Sequence, residues 1–315
     1  MFALRGIAVS FSVFVMVYGI VSLAVGCTWR RIQLRAQHFP VDRLANLLFA
    51  LRMFPLAIAT LITAAFTVPS FLLLEPRSIE EPVGAIPLVL ALCGAALAVF
   101  GLVNAALAIR RASRTISGWT SAARPVDSPI PFPVLRIGCS VPAMTAAGIV
   151  RPRILLSGSA EFVLNGNELR TALNHEIAHI RRRDNLKKLL LRFVAFPGLR
   201  GLESAWLEAT EMAADEAAVS STADALDLAA ALIKLSTIRA VEPAPDLTAA
   251  LVHGSGALIN ARVERLISWT GECRRSRDSL AWRGVGAVVA TIALFAVTYG
   301  SLLARVHTAT EWLVR

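Results

Sequence analysis

The sequence predicts an α-helical membrane protein: four transmembrane helices, with a mainly α (α+β) polar domain inserted between the third and the fourth. Three observations carry this prediction. Of 315 residues, 56% are hydrophobic and 17% charged, with a mean hydropathy of +0.61; soluble domains carry about 25% charged residues. Four windows reach the roughly 20 apolar residues that cross a bilayer. Between the third and fourth lies a mostly polar block of roughly 170 residues, enough for one domain with its own core.

The windows run from Ile7 to Gly26, Met53 to Leu74, Val83 to Ile109 and Gly284 to Ala304. A cleaved signal peptide is the alternative for the first, because Arg5 precedes it and Ala24-Val25-Gly26-Cys27 faintly resembles a lipoprotein cleavage site. Its length of about 20 residues exceeds a signal core, no A-x-A-like exit follows, and Trp29-Arg30-Arg31 comes directly after it, so a retained helix is expected. The resulting organisation is a three-helix transmembrane region at 1–110, a domain at 111–283, a fourth transmembrane helix at 284–305 and a short extracytoplasmic tail at 306–315.

Arginines set the orientation. Arg30, Arg31, Arg35, Arg43 and Arg52 fill a loop from Cys27 to Arg52 with Asp42 as its one acid, whereas Glu75, Glu80 and Glu81 dominate the loop from Glu75 to Pro82. Arg110, Arg111 and Arg114 follow the third window, and Arg274, Arg275, Arg277 and Arg283 precede the fourth. Basic residues stay on the cytoplasmic side of short loops. The domain is therefore expected in the cytoplasm, in a multi-pass protein of the cell (inner) membrane. The net charge of +10 then reflects arginines facing anionic lipid. The domain has no basic stripe with interleaved aromatics, which argues against direct nucleic-acid binding. Cys27, Cys93, Cys139 and Cys273 are scattered, with neither a disulfide frame nor a C-x-x-C pair.

Within the polar block, Arg110 to Pro133 reads as a linker and Pro133 to Ser140 and Arg153 to Ser157 as strands. The second strand is expected either to offer a free edge to an extended peptide or to pair within a sheet. Asn165-Gly166-Asn167-Glu168 reads as a variant capping box opening a helix. Leu169, Ala172, Leu173, Ile177 and Ile180 form its apolar stripe. Leu186 to Leu199 is too short and charged to span; it reads as an interfacial or re-entrant segment, or as a buried helix. A second helix carries Glu203, Glu208, Glu211, Asp215 and Glu216, and Ala223 to Arg239 a third. Val241 to Asp246 is a Pro-rich loop.

The capped helix holds the chemistry: His175-Glu176-Ile177-Ala178-His179, an H-E-x-x-H pattern containing two of only 5 histidines. Histidines four apart on a helix share a face, so both imidazoles reach one metal ion. The glutamate between them faces the ion's open side and serves as general base. The pair lacks a third protein ligand, and a carboxylate from a following helix ordinarily completes such a site. Glu208, Glu211 and Asp215 share one stripe; Glu211 is the expected ligand, Glu208 the reserve, and Asp215 an acceptor that orients a ligand histidine. This set fits Zn2+ and a gluzincin-like zinc metalloprotease domain. His253 is either a donor to the developing oxyanion or a loop histidine with no such role.

The stretch Ala172-Leu173-Asn174-His175-Glu176-Ile177-Ala178-His179-Ile180-Arg181-Arg182-Arg183-Asp184-Asn185, followed by Glu211-Met212-Ala213-Ala214-Asp215-Glu216-Ala217, resembles the BlaR/MecR-type membrane zinc metallopeptidases, the antirepressor family. The likeness implies zinc bound by His175, His179 and Glu211, Glu176 as base and Asp215 in support. Asp184 recurs in the family with its role open. It further implies a protein substrate of the BlaI/MecI-like repressor type, a membrane-lipid environment, and self-cleavage or a homodimer as open questions. The penicillin-binding sensor domain of the antibiotic-sensing members does not follow the fourth window, so direct β-lactam sensing is not expected. Two other readings stand beside it: a quality-control protease of the HtpX type, and a non-catalytic membrane receptor or scaffold.

Overall fold

The computed structural model describes residues 2–36, 38–76, 84–126, 130–138, 143–194, 198–238, 247–250, 256–271 and 299–310. The fold is mostly helical, with one small mixed sheet. Among the described residues, three helices are long and apolar enough to cross a membrane: α1 (Phe2–Arg35), the continuous run Val41–Leu74, and α4 (Ala85–Thr120). At 1.5 Å per residue, helices of this length exceed the hydrocarbon core of about 30 Å, so each extends past its apolar window.

That extension corrects two expectations. The segment from Cys27 to Arg52 is not a loop: α1 ends at Arg35 and α2 (Val41–Ile62) begins six residues on, so Arg30, Arg31, Arg35 and Arg43 stand on helix ends and Arg52 is buried within α2. Likewise α4 continues to Thr120 through the stretch read as a linker, and β1 (Arg124–Val126) follows. Charged side chains do not by themselves stop a helix, so hydropathy marked the apolar windows but not the helix ends.

The second run has a break. A π-helical turn at Thr63–Thr67 separates α2 from α3 (Val68–Leu74). Pro69 has no N–H, which leaves the carbonyl four residues back without its helical donor. That carbonyl is Ala65 O, and the Tyr299 hydroxyl donates to it at 2.7 Å. Residues 299–310 are helical; 272–298 lie outside the described residues, so the expected fourth span is seen only at its end. Residues 127–129, 139–142, 195–197, 239–246 and 311–315, parts of expected linker, strand, loop and tail, also lie outside.

Small residues on α4 set close approaches. Buried Gly94 lets α1 pass, for a Cβ there would lie 2.8 Å from Phe11 O; at Gly101 it would lie 2.4 Å from Phe193 O. Small residues at such positions allow backbones to meet in lipid. Phe193 ends α7 (Asp184–Phe193), whose sequence left two placements open. Its tip is wedged among apolar parts of the long helices, with Val194 packed on Tyr18, Ala59 and Leu97. Buried Arg52 donates to Val194 O at 2.8 Å, satisfying a carbonyl the helix end leaves unpaired. The end of this helix is thus packed among the long helices rather than wholly within the polar domain.

The sheet holds β1, β2 (Val134–Ile137), β3 (Met144–Ala147), β4 (Arg153–Ser157) and β5 (Ala249–Ala250) in the order β1-β2-β4-β3-β5. β2 and β4 are parallel; the other neighbours are antiparallel. The Arg153–Ser157 strand forms as expected, but it lies between β2 and β3 and offers no free edge. Ile154 and Leu156 enter the main core on one face while Leu155 packs with Ile116 and Trp119 of α4 on the other, which is why the run lacks alternation. β3 instead faces the metal-motif helix, and β5 pairs with it.

The sheet, α5 (Gly158–Val163), α6 (Gly166–Arg181), α9 (Thr222–Ser236) and α10 (Gly256–Ile267) enclose one core that includes Ile154, Leu156, Leu173, Ile177, Leu228, Leu232 and Leu266. A second core joins α8 (Arg200–Ala218) to the long helices through Val25, Ala45, Leu48, Leu202 and Trp206.

Candidate metal centre

α6 forms where the sequence places it, and its capping box is complete: Asn165 Oδ1 accepts from Glu168 N, and Glu168 Oε2 accepts from Asn165 N, both at 2.9 Å. Leu173 and Ile177 fasten one face into the core, which directs His175 and His179 toward α8. Their Nε2 atoms lie 3.0 Å apart; Glu211 Oε2 lies 3.6 Å from that of His175, and Glu211 Oε1 3.6 Å from that of His179. Ligands about 2.0–2.1 Å from a tetrahedral zinc would be about 3.3 Å from one another. His175, His179 and Glu211 therefore form a group able to hold a metal ion. Their donor atoms match a divalent cation, and their geometry needs only small adjustment.

The outer contacts fix each ring. Asp215 Oδ1 lies 2.9 Å from His175 Nδ1, and Asp184 Oδ2 lies 2.8 Å from His179 Nδ1. Each imidazole thus turns its other nitrogen to a carboxylate, the arrangement that fixes the tautomer of a metal-ligating histidine. Asp184 does for His179 what Asp215 does for His175; its role had been open. Glu208 is exposed on α8 and turned away, so it is not the third ligand. One helical step separates the solvent side of the acidic stripe from its buried side. His253 lies outside the described residues.

Two features were not read from the sequence. Arg262 of α10 is fully buried, donating from Nε and Nη2 to the two oxygens of Asp215, each at 2.7 Å, while Nη1 lies 3.2 Å from Glu211 Oε2. A cation in the apolar stripe with Leu258 and Leu266 was the available signal. The second is the backbone of β3. Ala146 N donates to Glu176 Oε2 at 2.7 Å, and Asn185 Nδ2 donates to Ala146 O at 3.0 Å.

The site is closed: His175 and Glu176 have no exposure and His179 only 2%. Burial drives the Glu176 carboxyl upward from its ordinary range, against the nearby histidines and the Ala146 N–H. Burial also opposes charge on His175, but Asp215 and Glu211 outweigh it and raise His175 to about 9. Glu211 is held well below the usual carboxylate range: burial opposes this, while His179, His175 and Arg262 overcome it. Asp215 is lowered similarly, with Arg262 overcoming burial. Glu211 is thus in the anionic form a metal requires, whereas His175 must give up its proton to bind one.

No protein-family model matches this chain, and no curated protein matches it either.

Proposed function

We propose that the chain is a membrane-embedded zinc-dependent endopeptidase that cleaves protein substrates at the cytoplasmic membrane face, with a transcriptional repressor as the substrate of a signalling step. The observation that carries this reading is the convergence of His175 Nε2, His179 Nε2 and Glu211, with the Glu176 carboxylate beside them. Two imidazoles and one carboxylate are the protein ligands of a catalytic zinc that keeps one position open. A bound zinc ion supplies Lewis acidity toward a water and a peptide carbonyl.

Glu176 takes the proton of the attacking water and delivers it to the leaving amine. Asp215 and Asp184 hold the imidazoles in one tautomer, and Arg262 balances the buried carboxylates. The Ala146 N–H holds Glu176 Oε2, so β3 is the strand that borders the general base. β3 is paired on both sides, with β4 and with the two residues of β5, so an extended substrate reaches its edge only by displacing β5.

Two further facts support the cellular setting. The domain lies at the end of the long helices where α1 finishes and α2 begins, the end rich in Arg30, Arg31, Arg35 and Arg43. Arg5 and Glu75 pair at the other end, 3.0 Å apart. The positive-inside rule then assigns the domain to the cytoplasm.

Glu176→Gln is the direct test. The variant keeps its zinc and loses cleavage in a membrane-reconstituted assay that follows turnover of a candidate repressor. Unimpaired cleavage by this variant overturns the mechanism.

A further inference from the structure

The start of α2, before its apolar window opens at Met53, touches α8, which carries Glu211, and reaches Arg182 at the cap of α6 and Lys187 of α7. On one side Asp42 pairs with Arg182, whose Nε lies 3.5 Å from Asp184 Oδ2, the oxygen that faces His179 Nδ1. One turn further along α2, Asn46 Oδ1 accepts from Lys187 Nζ at 3.2 Å. Lys187 Nζ also lies 3.6 Å from the other oxygen of Asp184 and 5.7 Å from the Phe49 ring. On the other side Ala45 and Leu48, both fully buried, pack with Leu202, Trp206 and Ala209 of α8, which carries Glu211; the Phe49 and Trp206 rings are 5.9 Å apart.

Asp184 is itself fully buried, and the groups that face it are these two cations and His179. Each of its oxygens is tied to α2 through one of them.

We propose that α2 is a positioning element of the metal centre: Asp42 and Asn46, acting through Arg182 and Lys187, hold Asp184 on His179 Nδ1. The inference rests on the metal-centre reading and adds to it a membrane-spanning helix as part of the ligand support. The carboxylate behind a ligand histidine sets the ring's orientation and basicity. A displacement of α2 relative to the domain therefore changes how firmly His179 grips the metal. Nothing in that coupling requires contact with substrate.

The test uses the full chain in lipid nanodiscs. Zinc affinity is measured by competition with a chelating dye, and Co2+ at saturation reports the ligand field by visible absorption. An exposed ion pair contributes little to folding, so Asp42→Lys perturbs the centre in a folded chain. It should weaken zinc binding on the order of tenfold, the low end of what loss of an outer partner costs, and shift the cobalt bands. Asp42→Glu should restore both. Asn46→Leu should weaken binding by a smaller factor. Arg136→Gln, which breaks the remote Arg136–Glu161 pair, should change neither reading.

The proposal is overturned if Asp42→Lys and Asn46→Leu bind zinc within about twofold of wild type, well short of an outer-partner effect, with unchanged cobalt spectra. If Asp42→Lys yields no folded protein, Asn46→Leu decides alone. A wild-type chain that binds no metal overturns the metal-centre reading, and this inference with it.

Discussion

Replacing Arg262 with methionine should destabilise the metal-free chain by about 3–5 kcal/mol, the cost of breaking a buried ion pair by removing one partner. Arg262 is fully buried and faces Asp215 through two contacts of 2.7 Å and Glu211 through one of 3.2 Å. Methionine fills much of the same volume, so the cavity contribution is small and the loss is electrostatic. Two carboxylates with 5% exposure or less are then left facing each other without the cation that offsets them. For a unit of this size each kcal/mol moves the midpoint by about 2–4 °C, giving a fall of roughly 6–20 °C. The assay is thermal unfolding in detergent followed by tryptophan fluorescence, with chelator and then with zinc. Zinc at about 100 times its Kd should raise the midpoint, as a ligand contributing about 2.7 kcal/mol does. Arg262→Lys keeps the charge but loses the fork and should fall between. A loss below about 1 kcal/mol, the range of an exposed pair, would refute the claim that Arg262 balances the buried carboxylates.

Two further outcomes follow from the same geometry. His175 is raised from 6.5 to about 9 in the metal-free site, so its proton stabilises that state fully below about 6.5, and this contribution is lost as pH rises through about 9. Metal must displace that proton, so zinc affinity should climb by up to about tenfold per pH unit over this window and then level off; a flat profile from dye competition would contradict it. Gly101→Ala places a Cβ 2.4 Å from Phe193 O, so α7 must shift. An overpacking cost of about 1–3 kcal/mol is expected in thermal unfolding, and an unchanged midpoint would show that α7 does not seat there.

The parts of this site set by local sequence were legible before any coordinates. The capping box at Asn165 and Glu168 and the four-residue histidine spacing are properties of a single helix, so α6 and its metal-facing pair follow from periodicity alone. Glu211 was separable from Glu208 only through burial: both lie on one stripe, and which end turns inward depends on how α8 packs. Asp184 and Arg262 were not assigned roles for the same reason. Arg262 meets Asp215 across 47 residues, and no local pattern encodes that pairing. The strand at Arg153–Ser157 was found, yet its apolar run says only that both faces are covered, not which strands pair with it. The long helices show the opposite limit. Hydropathy located the apolar windows of α1, α2 and α4, but where a helix ends depends on capping and packing, so the extensions of α2 and α4 were missed.

The most direct test of the central claim is the metal content of the purified full chain, measured by elemental analysis beside single substitutions of the ligands. The account predicts one zinc per chain, lost in His175→Ala, His179→Ala and Glu211→Ala and kept in Glu208→Ala and Glu176→Gln. A wild-type chain without stoichiometric metal, or a Glu211→Ala variant that holds zinc as tightly as wild type, would contradict it.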